Sequence, residues 1–498
     1  MAEYDLAIIG GGMNGVSVAR DAAGRGLRVI LFEQGDLGAA ASSATSRLIH
    51  GDLSVLERRR LLRVRRALVE RDIWLRSAPH LVRPARFVIP EHSDERPPWL
   101  LRSGLLLYDR LAPRAGLPVS QTIDITHHPV GNALKRPFGT AFEYSDCMVE
   151  DSRLVITIAV DAAEHGAEIC TGARCVRAER TDVWRLIVID RGRRRTITAR
   201  ALASASGAWT ASVMETVLRV KPPRLNTHRI SQIVVRRLFD TETVYVFQNH
   251  DRRLIFASPY QQDFTLIGTV GQAFRGDPAV VSMSAGDVTY LCDAANRYFR
   301  EQIDASDVLR TISGANAILE PAKPGAVCDG GTMFHHRRGL APLLTMFGGD
   351  VTTSRLRAER AVSRLTPFYP MSPRWTSRSP LPGGDFNWAR FDAEVDMACE
   401  RWRFLGEPEA RRLVAAYGSH LADILGDARS RADLGQAFGT ELTAAEVRHL
   451  MAREWARFPD DILWRRSKLG LTMSPENRAA LATFMAAAIE SKTLPPPG

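Results

Sequence analysis

The 498 residues read as an α/β protein with a helical domain added at the carboxyl end. Three observations predict this. A strand–glycine turn–helix–strand unit opens the chain, alternating strand patterns fill its middle, and a helical pattern runs from Phe386 to Ser491. The length exceeds what one hydrophobic core holds, so two or three domains are expected.

The opening unit carries the most chemistry. Tyr4 to Ile9 is an apolar run of strand formers, followed at once by Gly10-Gly11-Gly12-Met13-Asn14-Gly15. Val16 to Ala23 has the helical period, Gly24 and Gly26 stop it, and Leu27 to Phe32 is a second apolar run. Gly10, Gly12 and Gly15 fit G-x-G-x-x-G. The first permits a tight turn, the second lets backbone approach a pyrophosphate, and the third lets the helix pack on the strand. The helix N-terminus then offers unpaired N–H groups and a partial positive charge. Glu33 closes the second strand, where a carboxylate accepts hydrogen bonds from an adenosine ribose and favours FAD or NAD over NADP. A lone glycine fingerprint is weak evidence. Inside a βαβ unit with that carboxylate, it points to a Rossmann-type dinucleotide site rather than an unliganded turn.

Composition sets the outer limits. Hydrophobic content of 45% and 24% charged residues are ordinary for a folded soluble chain. No apolar run reaches the roughly 18 to 20 residues that span a bilayer. Met1-Ala2-Glu3 begins no signal peptide, so a cytoplasmic protein is expected. The six cysteines show no C-x-x-C pair and read as reduced thiols. No carboxylate or cysteine supports His127-His128 or His335-His336 at ligand spacing, so no metal is expected. The net charge of +10 gathers in Arg58, Arg59, Arg60, Arg63, Arg65, Arg66, Arg71 and Arg76, with Leu61, Leu62, Val64, Leu68, Ile73 and Trp74 interleaved. This basic helix over 58–76 has two readings. It is a solvated face, or it attaches peripherally to an anionic membrane on its inner side. No recognised nucleic-acid motif accompanies the charge.

The remaining elements follow in order. Residues 34–46 form a loop of small side chains suited to lie against a large flat ligand. Residues 76–140 are rich in proline and read as loops with short helices. A strand edge and helix cover 148–166, a strand 168–177, and another 196–205, ending in Ser206-Gly207-Ala208-Trp209. Alternation over 231–235, 243–248, 254–258 and 265–269 predicts an antiparallel sheet in a second, substrate-facing domain. A helix over 288–299, a returning strand over 340–347 and a closing helix over 352–365 complete this part. The expected division is a discontinuous cofactor domain (1–75, 141–210 and 340–368), a substrate domain (76–140 and 211–339), a linker (369–385) and a helical domain (386–498).

Ser42-Ser43-Ala44-Thr45-Ser46-Arg47-Leu48-Ile49-His50-Gly51, behind this fingerprint, resembles the FAD-dependent glycerol-3-phosphate dehydrogenases. Further matches run the length of the chain: Phe142 to Cys147, Ile267-Gly268-Thr269, Ala341-Pro342-Leu343-Leu344, Phe347-Gly348-Gly349, Thr352-Thr353 and Trp464-Arg465-Arg466. The resemblance implies FAD, hydride transfer from substrate to flavin N5, and electron delivery to quinone at a membrane or to oxygen. It implies that Gly10, Gly12, Gly15, Glu33, Ser42, Ser43, Gly207, Gly349 and Thr352 line the cofactor, and it leaves a homodimer open.

Such chemistry needs a base near the substrate hydroxyl and cations around a phosphate. Here the family pattern is broken. G-L-R-Y after His50-Gly51 is Asp52-Leu53-Ser54-Val55, and the Arg of S-G-x-R-P-L is Asn316. R-D-Y aligns with Thr332-Met333-Phe334, the Lys of G-G-K-L-T-T is Asp350, and the His of K-G-S-H is Gln232. Each charge-assisted hydrogen bond is worth roughly 1.5–3 kcal/mol, so losing three costs on the order of 4–9 kcal/mol, about a thousandfold or more in affinity. His50, His228, Gln232 and Asn316 are the candidate catalytic residues, with Arg47, His228 and Arg229 available for a rearranged phosphate site. The leading expectation is a flavoenzyme oxidising a small alcohol or amine, with glycerol 3-phosphate doubtful. Three alternatives stay open: a glycerol-3-phosphate dehydrogenase with a rebuilt phosphate site, a specialised biosynthetic oxidase, and a non-catalytic flavin-binding protein.

Overall fold

The computed structural model describes residues 2–53, 60–91, 98–135, 139–251, 253–320 and 330–491. Arg58, Arg59, Cys328 and the Pro495–Pro497 tail lie outside them.

Two sheets organise the first 350 residues. In the first, Tyr4–Ile9 lies between Val29–Glu33 and Arg193–Ser204, and all three run parallel. Leu340–Phe347 extends this sheet beside Arg193–Ser204, and Glu168–Thr171 closes the other side, again in parallel. Leu6, Ala7, Ile8, Ile30 and Leu31 are fully buried, as strands covered on both faces require. Met13–Gly24 packs on this sheet with Asp151–Glu164 and Ser354–Ser363. The strand expected over 168–177 breaks in two at Gly172, whose φ of +68° turns the chain into the Ala173–Arg180 and Trp184–Asp190 hairpin.

The second sheet has the order Arg310–Leu319, Leu225–Arg236, Phe264–Ala273, Leu254–Tyr260, Thr243–Gln248, Val82–Pro90, Thr140–Val149, Leu48–Ile49. Gln121–Asp124 also pairs with Thr140–Val149. It departs from a purely antiparallel sheet at one place, where Thr243–Gln248 runs parallel to Val82–Pro90. The proline-rich 76–140 stretch therefore supplies two strands and the helix Pro98–Arg110. Pro84 is tolerated because the strand pairs on both sides only from Arg86 onward, where a missing N–H would matter. Leu48–Ile49 and Thr140–Val149, expected with the cofactor sheet, pair in this second sheet and cross to the first through the segments that follow them.

Beyond Thr376 the chain is mainly helical: Phe391–Arg401, Glu407–Tyr417, Ala444–Arg453 and Pro475–Glu490 enclose Val395, Leu413, Val447, Leu450, Ile462 and Leu481. A short hairpin of Ala437–Phe438 with Leu442–Thr443 interrupts the expected all-helical run. The linker is pinned to the first domain. Trp375 covers Gly24 and donates its Nε1–H to the Asp21 carbonyl at 3.3 Å. No described helix is long and apolar enough to cross a membrane.

Candidate active site

The parallel strands end together, and a cavity of about 560 Å³ opens beyond their carboxyl ends. Glu33, Gln34, Gly35 and Arg174 line one end; Gly10, Gly12, Asn14 and Ser42 line the middle. His50, Ile230, Asn316, Gly348, Gly349, Asp350 and Arg357 line the other end, where the second sheet approaches.

The glycine turn takes the form its spacing predicts. Gly10 has φ +109°, and a Cβ there would lie 2.5 Å from the Ala205 carbonyl oxygen. A Cβ on Gly15 would lie 1.8 Å from the Gly10 carbonyl oxygen, so the helix approaches the strand only without a side chain. Glu33 accepts N–H donations from Gly11 at 2.7 Å and Gly35 at 2.8 Å, which fix its carboxylate at the strand end. Burial pushes the Glu33 carboxyl up, against the pull of those N–H donors. Ser42 Oγ accepts from the Met13 N–H at 3.0 Å and ties the small-residue loop to the helix start. A Cβ built on Gly207 meets no protein atom within 4 Å and faces open cavity. A fixed carboxylate, an open helix N-terminus and this free space fit an adenine dinucleotide.

At the far end, His50 is held through its backbone. Its N–H donates to Thr352 Oγ1 at 3.1 Å, and the Gly51 N–H donates to the Tyr108 hydroxyl at 2.7 Å. Tyr108 in turn donates its hydroxyl O–H to Asp146 at 2.6 Å, and Arg71 donates to the same carboxylate at 2.8 Å. Burial raises the Asp146 carboxyl while Arg71 opposes it, and burial with the Asp146 charge pushes the Tyr108 phenol well up. Asp146 is thus a structural anchor beneath His50.

The other predicted residues separate by position. Gly10, Gly12, Glu33, Ser42, Gly207, Gly349, His50 and Asn316 line the cavity. Gly15 packs the helix, Ser43 donates its hydroxyl to Ala40, and buried Thr352 supports His50 from behind. Gln232 is buried and donates to the Thr45 carbonyl at 2.8 Å, so it braces the cofactor loop. His228 lies opposite Asn316 in the strand register and is not among the lining residues; its Nδ1 is buried without a partner. Asn316 donates to the Gly349 carbonyl at 3.3 Å.

The cations proposed for a new phosphate site are engaged elsewhere. Arg47 is buried, donates to Glu150 at 2.6 Å, lies 3.5 Å from Asp151, and stacks on Tyr260. Arg229 pairs with Asp287 at 2.7 Å and donates to Gln272 and the Ser282 carbonyl. Arg71 is buried and is no part of a basic surface. Asp350 turns back on its own helix start, accepting from the Thr353 N–H at 2.6 Å and lying 3.6 Å from Arg357. Sequence reasoning missed Asn14 and Arg357. Both line the cavity, and the break at position 350 was the one signal that something nearby had changed.

Residues 5–353 match the family described as FAD dependent oxidoreductase. The chain belongs to that family. Residues 374–492 of this oxidoreductase match the C-terminal domain of alpha-glycerophosphate oxidase. It is 42% identical to a glycerol-3-phosphate dehydrogenase of Pseudomonas aeruginosa, covering 97% of this chain and 95% of that one. It is 39% identical to D-erythritol 1-phosphate dehydrogenase of Brucella abortus, covering 96% and 97%. The same fold occurs in the glycerol-3-phosphate dehydrogenase of Bacillus halodurans, solved with FAD, at a TM-score of 0.75 and 20% identity over 98% of this chain and 95% of that one. The oxidoreductase is therefore an FAD enzyme of the glycerol-3-phosphate dehydrogenase type.

Proposed function

We propose that this enzyme oxidises a small alcohol or amine that lacks a phosphate group, and passes the electrons to quinone or oxygen. One observation carries the reading: at the ring end of the cavity, the basic side chains that would grip a phosphate are replaced or committed to internal partners. Position 316 is Asn and position 350 is Asp, while Arg47 and Arg229 serve Glu150, Asp151 and Asp287. A dianion placed there would lose most of its solvation and meet, among the described residues, a single lining guanidinium, Arg357, whose N–H groups already serve Thr353, Asn14 and the Asp350 carbonyl.

Bound in this cavity, FAD would supply the hydride acceptor, taking up two electrons and one proton and so gaining one negative charge. The chain's own residues do the rest. Glu33 would hold the ribose and the helix N-terminus at Gly12 to Asn14 would meet the pyrophosphate, while Asn316 steadies the Gly348-Gly349 turn. His50 takes the substrate's hydroxyl or ammonium proton, on a backbone clamped by Thr352 and Tyr108.

Steady-state turnover of sn-glycerol 3-phosphate with an artificial acceptor tests the substrate claim. Turnover far below an ordinary enzyme's roughly 10 s⁻¹ is expected; a rate at that level overturns the reading and restores a glycerol-3-phosphate dehydrogenase with a rearranged site.

A membrane-facing side belongs to the same proposal. The helix Leu61–Ser77 buries Val64, Leu68, Ile73 and Trp74, so its apolar stripe faces the core. Its start exposes Leu61 and Leu62 beside Arg65 and Arg66. Pro98–Arg110 packs into the same core through Leu105 and Tyr108, and exposes Trp99, Leu100, Leu106 and Leu107 with Arg102 and Arg110. Exposed leucines and a tryptophan interleaved with arginines suit an anionic bilayer surface.

A further inference from the structure

The cavity lining holds two cations among the described residues, Arg174 at the Glu33 end and Arg357 at the opposite end. Arg357 rises from Ser354–Ser363 and folds back onto the turn that precedes that helix. Its Nη1 donates to Thr353 Oγ1 at 2.8 Å, and its Nη2 donates to the Asp350 carbonyl at 2.9 Å and to Asn14 Oδ1 at 3.0 Å. The guanidinium lies flat against Gly349, where a Cβ would come within 2.1 Å of Cζ. Asn14 returns a hydrogen bond to the Gly348 carbonyl at 2.9 Å. The Arg357 Nε is buried with no partner. This cation is thus fixed from three sides, between the start of the Met13–Gly24 helix and the Gly348-Gly349 turn.

We propose that Arg357 is the charge that balances reduced flavin in this enzyme, and that Asp350 sets how strongly it does so. The inference rests on the FAD assignment alone and not on the substrate. Hydride transfer leaves one extra negative charge on the ring system. In a partly enclosed cavity that charge is stabilised by whatever cation stands nearby, and the ring end provides Arg357. Where the family pattern carries Lys at position 350, this chain carries a carboxylate, 3.6 Å from the guanidinium. A carboxylate so placed holds the guanidinium in position and offsets part of its field. The sign of the charge at 350 has changed, and the positive charge enters from position 357, seven residues further on in the first turn of the following helix.

The two-electron midpoint potential of bound FAD, measured by equilibration with a reference dye, reads this directly. Arg357→Leu is expected to disfavour reduced flavin at least tenfold, a fall of about 30 mV. Asp350→Asn is expected to move the potential upward, and Arg357→Lys to retain most of the wild-type value. The FAD dissociation constant is measured alongside. Arg357→Leu that weakens FAD binding with an unchanged potential would assign the arginine to the pyrophosphate and overturn the proposal. So would an Asp350→Asn potential equal to or below wild type, a variant that keeps Arg357 and remains informative if Arg357→Leu fails to fold.

Discussion

Removing the carboxylate of Asp36 should loosen FAD from a distance. Asp36 lies in the loop after Glu33, between Gly35 and Gly38, which both line the cavity. It receives two parallel hydrogen bonds from Arg466 of the C-terminal domain, at 2.8 and 2.9 Å, and another from Arg465. The Arg466 side chain is fully buried and Asp36 is 6% exposed. Burial pushes the Asp36 carboxyl up, but the two guanidinium groups prevail and hold it below the usual range. Deleting one partner of such a buried pair typically costs about 3–5 kcal/mol, because the other charge is left without compensation. If that loss falls on ordering the loop, FAD affinity drops by roughly two to three and a half decades. Titrating apoprotein with FAD by fluorescence, for wild type, Asp36→Ala and Asp36→Ala/Arg466→Met, measures it. The double variant should recover part of the loss, since an apolar side chain leaves no stranded charge. An Asp36→Ala affinity within threefold of wild type, with no recovery in the double variant, would refute the reasoning. The pair's contribution is present above the unfolded carboxyl's value of about 3.9 and disappears as pH falls through the lower folded value.

Three further outcomes are expected. Gly15→Ala should abolish FAD retention on gel filtration, because its Cβ would stand 1.8 Å from a backbone oxygen that cannot yield. His80 is buried, both ring nitrogens lack partners, and burial with the nearby Arg153 charge pushes its pKa down to about 3. Since the unfolded chain protonates near 6.5, stability is fully present above that pH and falls between about 6.5 and 3. His80→Phe should flatten that part of the acid-denaturation curve, and an unchanged slope would contradict it. Trp99→Ala with Leu62→Gln should at least halve co-sedimentation with anionic vesicles while leaving FAD content unchanged; equal binding would remove the membrane surface from the account.

Local patterns were legible in the sequence, and long-range partners were not. The βαβ unit, the glycine turn and Glu33 lie within 33 residues, and their spacing alone specifies the geometry. The helical domain was visible through its period, but the hairpin Ala437–Phe438 with Leu442–Thr443 is too short to leave an alternation. Proline masked the strand Val82–Pro90, because its cost depends on which neighbours pair with it. Arg47 and Arg229 looked available for a phosphate because their acidic partners, Glu150 and Asp287, are far along the chain. Gln232 falls on a catalytic alignment position, yet its amide reaches Thr45, which no spacing rule reveals. The change at Asp350 was readable, but its pairing with Arg357 needs the fold-back of the chain at a helix start.

The most direct trial of the whole account is an anaerobic titration of the purified, FAD-loaded enzyme, followed by flavin absorbance. Unphosphorylated small alcohols and amines are added in one series and sn-glycerol 3-phosphate in another. Bleaching by a member of the first series, with the phosphate ester leaving the spectrum oxidised at millimolar concentration, is the predicted result. Complete bleaching by micromolar glycerol 3-phosphate would contradict it.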